Sequence, residues 1–249
     1  MIPLQNQISN WIANYANKHS ISSLVIGISG GIDSAVTSTL CAMTDIKTKL
    51  LIMPIHQNIK ETTRGVNHCS FLKKNFKNVE VLNTDLTDVY KVMQGKIPSL
   101  YHNRLSLANT RARIRMTVLY AIAGGSNGLV VGTGNKVEDF GVGFFTKYGD
   151  GGVDISPIAD LMKSEVYELA QALNINKEII DAPPTDGLWD DGRTDEDQLG
   201  VSYDQLEWAM NYKSGKIDET QSNVLKIYNN HRNQNLHKMK EIPIFKKKV

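Results

Sequence analysis

Four times between residues 23 and 132 a short apolar run alternates with a segment of helical spacing, and that alternation restricts the fold more than any other feature. Ser23-Leu24-Val25-Ile26-Gly27-Ile28, Lys49-Leu50-Leu51-Ile52-Met53-Pro54, Val79-Glu80-Val81-Leu82 and Gly128-Leu129-Val130-Val131-Gly132 read as strands. They are too short for helices, and branched aliphatic residues without polar alternation suit strands buried on both faces. Helices are predicted from near Asp33, with Ala35, Val36, Leu40 and Met43 on the apolar face, then over Glu61 to Asn75, Thr84 to Gln94 and Ser106 to Ala123. Ahead of the first strand, Ile8, Trp11, Ile12 and Tyr15 recur at helical spacing. Parallel strands need long crossovers, and helices supply them. The expected fold is therefore α/β, a doubly wound parallel sheet with helices on both faces.

After residue 140 the texture changes. Lys147-Tyr148-Gly149-Asp150-Gly151-Gly152 reads as a glycine-rich loop, Lys163 to Leu173 as a helix, and Tyr203 to Lys213 and Glu219 to Asn230 as two extra C-terminal helices. Between them, Ala182 to Leu199 is polar and acidic, with Pro183-Pro184 at its start and Leu188 and Trp189 as its main apolar residues. A connection of that length is expected to be a mobile loop that orders over a ligand. The late helices read as an accessory layer, so residues 1–249 are expected to form a single domain.

Composition narrows the function classes. The 28 Lys+Arg against 26 Asp+Glu leave a net charge of +2, without the basic footprint of a nucleic-acid binder. Cys41 and Cys69 are the two cysteines, too few and too far apart for a disulfide framework or a cysteine metal site. No apolar run approaches a membrane span, and residues 1–20 lack a signal-peptide core. A cytoplasmic protein with no membrane or nucleic-acid partner is expected.

The chemistry begins where the first strand gives way to its helix. Ser29-Gly30-Gly31-Ile32-Asp33-Ser34 lies at the sheet edge where doubly wound folds bind ligands. Glycines let backbone approach an anion closely, a helix N-terminus offers free N–H groups, and Ser29 and Ser34 add hydroxyls. Asp33 would repel phosphates unless a divalent cation lay between them, and Mg²⁺ is the usual choice; the plain alternative is a turn with Asp33 as N-cap. Neither a G-x-x-x-x-G-K-[ST] nor a G-x-G-x-x-G motif follows the strand, which argues against Walker-type NTPases and Rossmann dehydrogenases.

Later segments add candidates. In Arg111-Ala112-Arg113-Ile114-Arg115-Met116, residues 111 and 115 share a helix face and Arg113 points elsewhere; arginines there suit phosphate or carboxylate recognition or a solvated basic face. Gly132-Thr133-Gly134-Asn135-Lys136-Val137-Glu138-Asp139 is a second strand-to-helix turn on the same edge, where Thr133 and Glu138 can converge with Asp33 or simply cap a helix. Lys163 opens a helix, where its charge opposes the dipole, so an anionic partner is expected.

The SGGIDS hexapeptide resembles the pyrophosphate loop of N-type ATP pyrophosphatases. With RARIRM, GTGNKVED, FFTKYGDGGVDISPIADLMK, PPTDGLW, DEDQLGVSYD and the late His237-Lys238, nearly the whole chain resembles the ammonia-dependent NAD synthetases. The resemblance implies an adenine nucleotide alpha hydrolase-like fold and ATP-dependent amidation of deamido-NAD by ammonia, through an adenylated intermediate. It implies ATP on Gly27, Ile28, Ser29, Gly30, Gly31, Ile32, Asp33, Ser34, Thr133, Lys163 and Thr185, and Mg²⁺ on Asp33 and Glu138. It places deamido-NAD on Arg113, Lys147, Asp154, His237 and Lys238, with Asp33 and Lys163 as the catalytic pair. It further implies a homodimer and no glutaminase domain. The chain departs from the family pattern around Gly134 to Lys136 and is one residue longer between Glu138 and FFTKYG, which leaves Asp139 as an alternative to Glu138. Competing readings are another ATP pyrophosphatase, such as a tRNA-thiolating enzyme, and a nucleotide-binding sensor without turnover.

Overall fold

A computed structural model describes residues 2–185 and 194–247. The chain runs α1 (Leu4–Lys18), β1 (Ser23–Gly27), α2 (Ile32–Ala42), β2 (Lys47–Ile52), α3 (Ile59–Asn75), β3 (Val79–Asn83), α4 (Thr87–Lys96), α5 (Arg104–Gly125) and β4 (Gly128–Val130). A π-helix (Lys136–Val142) follows, then α6 (Lys163–Ala172), α7 (Lys177–Ile180), α8 (Asp195–Leu199), α9 (Tyr203–Asn211) and α10 (Glu219–Met239).

All strands pair in parallel in the order β3-β2-β1-β4, with Ser23 opposite both Lys47 and Gly128. The chain builds outward from β1 through β2 to β3, then crosses back to place β4 on the other side of β1. That reversal makes the carboxyl ends of β1 and β4 a topological switch point, the crevice where such sheets bind ligands.

Strand alternation divides the interior into two layers. Leu24, Ile26 and Ile28 pack with Ile12 of α1, Val36 and Leu40 of α2, Leu72 of α3 and Val166 of α6. Val25, Leu51 and Met53 face the opposite way, onto Tyr90 of α4 and Ile114 and Leu119 of α5. Helices therefore cover both faces, as the alternation predicts. A third cluster joins Val137 and Val142 of the π-helix to Leu199, Tyr203, Leu206 and Val224 of the C-terminal helices, giving the accessory layer a core of its own.

Three elements differ from the sequence reading. The second strand-to-helix turn leads into a seven-residue π-helix, a wider coil often found at functional sites. Helix α10 continues to Met239 rather than stopping near Asn230. The Arg232 guanidinium donates to the carbonyls of Phe140 and Gly141, Asn235 to that of Val142 and Lys238 to that of Phe145, so contacts with a distant segment carry the extra turns. Finally, Asp195–Leu199 is helical, capped reciprocally by Thr194 and Asp197, where a loop through Leu199 was expected. The remainder of that expected mobile stretch, 186–193 with Gly187, Leu188 and Trp189, lies outside the described residues. Among the described residues no helix is long and apolar enough to cross a membrane.

Candidate active site

The Ser29–Ser34 loop is shaped by its glycines and its own hydroxyls. Gly30 has φ +88°, and a Cβ there would lie 2.2 Å from the Glu61 carbonyl oxygen, so only glycine fits. The Gly31 amide donates to Ser29 Oγ at 3.1 Å, and Ser34 Oγ donates to the Gly31 carbonyl at 2.9 Å. Gly31 is the N-cap of α2 and no side chain caps it. The first-turn amides of α2 therefore border the cavity with nothing but the helix dipole to offer a ligand.

Asp33 is not the cap. It is the second residue of α2, and its carboxylate accepts from Lys163 Nζ at 2.7 Å and from Asn135 Nδ2 at 3.1 Å. The same ammonium donates to Glu138 Oε1 at 2.9 Å, and the Tyr203 hydroxyl lies 2.6 Å from that oxygen and 3.2 Å from Asp195. Lys163 thus has the anionic partner its place at a helix start demanded. Asn135 orders the centre from its other end: its Oδ1 accepts from the amides of Val137 and Glu138, both at 3.1 Å, which starts the π-helix and turns Glu138 inward.

The electrostatics follow from burial. Desolvation raises the Asp33 carboxyl above its usual value, with Glu138 adding to the rise and Lys163 opposing it. Burial also works against ionised Glu138, but the Lys163 ammonium and the Tyr203 hydroxyl outweigh it and hold that carboxyl below the usual range. The two acids together keep Lys163 charged despite its desolvation. Asp139 borders the same cavity with its carboxylate against Gly134, where a Cβ would meet Oδ2 at 1.9 Å, while the Lys163 ammonium gives its hydrogen bonds to Asp33 and Glu138. Burial, then the charges of Glu138 and Asp150, hold the Asp139 carboxyl well above the usual range. The geometry thus pairs Glu138, rather than Asp139, with Asp33.

Gly27, Ile28, Thr133 and Thr185 border the same cavity as the loop, Glu138 and Lys163. The residues expected on deamido-NAD form a second group beside it. Arg113 Nε donates to the Lys147 carbonyl at 3.2 Å, Lys147 Nζ reaches the His237 carbonyl at 3.4 Å, and Lys238 crosses the Phe145 ring at 4.8 Å. These contacts bring α5, the glycine-rich loop and the end of α10 together. Asp154 stands about two turns along α5 from Arg113, accepting from the Tyr120 hydroxyl at 2.9 Å and the Val130 amide at 2.8 Å. Its carboxylate also ties the loop to β4.

Sequence reasoning missed Asn135, Tyr203 and Asp195 as members of the acid centre. The DEDQLGVSYD segment signalled the last two only as part of a family pattern. Asn135 carried no signal beyond preceding a helix. Nor did the sequence show Arg115 donating to the Met53 carbonyl at 2.9 Å and to Gln57 at 3.1 Å, which fixes the far wall of the cavity.

Among the described residues no group of three His, Cys, Asp or Glu side chains could hold a metal by itself. Two hard carboxylates converging on one ammonium nevertheless make a place for positive charge. That donor set suits Mg²⁺, which commonly takes one or two protein carboxylates and completes its shell with phosphate oxygens and water.

An edge ready for phosphates and an acid pair ready for a cation, meeting at one switch point, define a nucleotide-using α/β protein of the adenine nucleotide alpha hydrolase kind. The family model for NAD synthase matches residues 4–249, and the chain belongs to that family. It is 37% identical to an NH3-dependent NAD+ synthetase of Alkaliphilus oremlandii over 84% of this chain and 85% of the relative. Among solved structures, an NMN synthetase from Francisella tularensis superposes with a TM-score of 0.87 at 32% identity, covering 97% of this chain and 96% of that one. The NH3-dependent NAD synthetase of Campylobacter jejuni superposes at 0.78 and 27% identity, covering 98% of each.

Proposed function

We propose that the protein amidates the nicotinate carboxylate of deamido-NAD with ammonia, consuming ATP and releasing AMP and pyrophosphate. A carboxylate oxygen is a poor leaving group, so the carboxylate first attacks the α-phosphorus of ATP and expels pyrophosphate. Ammonia then adds to the acyl carbon of the adenylate, AMP departs, and the nitrogen sheds a proton. The observation that carries this reading is the Asp33–Lys163–Glu138 centre, a buried ammonium between two half-buried carboxylates at the mouth of the Ser29–Ser34 loop, in a chain of the NAD synthase family.

Each group has a task that its position supports. The loop amides, Ser29 and Ser34 cradle the leaving pyrophosphate, Thr133 and Thr185 hold the rest of ATP, and Lys163 stabilises the charge that develops as the bond to phosphorus breaks. Asp33 and Glu138 would hold Mg²⁺, which when bound neutralises phosphate charge and polarises the reacting phosphorus. Arg113, Lys147, His237 and Lys238 hold the dinucleotide, with Asp154 fixing the loop beneath it. Neither cysteine takes part: both thiols are buried, in keeping with a reducing, cytoplasmic setting.

The chain works as one domain and as a homodimer. Val89, Val92 and Met93 form an exposed apolar face on α4, continued by Leu100, Tyr101 and Leu105, and a second copy would cover it.

A second reading keeps the chemistry and shortens the substrate to nicotinate mononucleotide, because the Francisella neighbour is described as an NMN synthetase. One assay decides between them: purified protein, ATP, Mg²⁺ and ammonium with either nucleotide, the amides resolved by chromatography. Deamido-NAD should be amidated in preference to the mononucleotide. The reverse preference establishes the second reading, and no amide from either substrate overturns both.

A further inference from the structure

Lys163 is fully enclosed by the fold, 2% exposed. Its position is costly on two counts: an ammonium loses its hydration in the interior, and at the first residue of α6 it meets the positive end of the helix dipole. The carboxylates of Asp33 and Glu138, half-buried at the cavity wall, are also unsuited to stand side by side, since like charges partly withdrawn from water repel. Each becomes tolerable through the others: one ammonium, 2.7 Å from one acid and 2.9 Å from the other, spans both.

These three charges sum to minus one, so the centre still favours more positive charge. The cavity that holds Ser29, Gly31 and Ser34 also borders Lys163, so the ammonium has phosphate-binding groups within its own compartment. We infer that Lys163 is the resident counter-cation of the Asp33–Glu138 pair, and that it yields those oxygens to the incoming divalent cation and passes to the phosphates of the nucleotide arriving with it. The inference rests on the proposed ATP and Mg²⁺ sites. Its consequence is mutual dependence. Metal alone must compete with an ammonium already in place, and nucleotide alone finds that ammonium engaged. Each ligand should therefore tighten the other, by the same factor as linkage requires.

The test needs no nicotinate substrate, so failure of the amidation assay leaves it intact. Calorimetric titration of the wild-type protein with Mn²⁺, as a probe for Mg²⁺, should show weak binding alone and at least about tenfold tighter binding with a non-hydrolysable ATP analogue. In Lys163→Gln, Mn²⁺ alone should bind at least about tenfold tighter than to the wild type, and the coupling should shrink. The same variant should melt at lower temperature than the wild type in EDTA and regain the difference in Mg²⁺. Equal Mn²⁺ affinity in the two proteins, or equal melting in EDTA and Mg²⁺, overturns the inference. If Lys163→Gln does not fold, Lys163→Gln/Glu138→Gln decides. Recovery of the fold on removing one carboxylate shows that unbalanced acids were the cause, whereas a double variant that also fails to fold rejects the counter-cation role.

Discussion

His68 sits on α3, 3% exposed, with Nε2 3.0 Å from the Ser38 hydroxyl of α2. That hydroxyl also reaches the Ala35 carbonyl at 3.1 Å. Burial pushes the His68 pKa from 6.5 down to about 4. The sign follows directly: as pH falls below 6.5 the unfolded chain takes up a proton that the folded one refuses, so stability declines from pH 6.5 to about 4. The full effect is at most about 3 kcal/mol. The raised carboxyls of Asp139 and Asp150 act oppositely, since the folded state keeps protons there after the unfolded chain has lost them. Urea denaturation of His68→Gln against the wild type isolates the histidine: the difference between them should be independent of pH above 7 and shift against the wild type towards pH 4. Asp33 belongs to the same scale. Asp33→Asn keeps size and removes the charge that answers both Lys163 and a cation, and kcat should fall at least about a hundredfold while the melting temperature stays within a few degrees. Near-normal turnover across a Mg²⁺ titration would remove Asp33 from the site.

At the scale of elements, what the sequence made legible divides by range. Strands and helices up to β4 follow from local periodicity, and Gly30 follows from local geometry, so the tight turn of the Ser29–Ser34 loop could be read off its hexapeptide. Gly30→Ala adds a Cβ to a left-handed backbone against a carbonyl oxygen at 2.2 Å; we expect a loss of about 2–4 kcal/mol, visible as a lower denaturation midpoint, and weaker binding of an ATP analogue. The π-helix, the short helix α8 and the last turns of α10 were not legible. The first depends on the Asn135 side chain taking the amides of Val137 and Glu138, and α10 beyond Asn230 depends on hydrogen bonds to carbonyls about ninety residues earlier. The acid centre was half legible for the same reason. Asp33, Glu138 and Lys163 stand in recognisable motifs, whereas Asn135, Tyr203 and Asp195 join them only through tertiary contact.

For the whole molecule, the apolar face on α4 and the start of α5 sets the expected assembly. Val92 is 65% and Leu100 77% exposed, and a patch of that kind rarely stays wet. Sedimentation should give a dimer for the wild type and a monomer for Val92→Glu/Leu100→Glu; a wild-type monomer at micromolar concentration would refute the interface.

The acid centre also lies where two separately packed interiors meet. Ile32 beside Asp33 and Val166 on the helix of Lys163 belong to the sheet core, whereas Val137 beside Glu138 and Tyr203 itself belong to the C-terminal core. The charges of the centre bridge the two cores, and we expect the C-terminal unit to open separately from the sheet. Native-state amide exchange should therefore show the protected amides of the π-helix, α9 and α10 exchanging as one group, ahead of those in β1 and α2. A bound ATP analogue with Mg²⁺ should merge the two groups, because opening the C-terminal unit would then cost the ligand as well. The substrate cavity thus doubles as the joint that determines how the molecule comes apart.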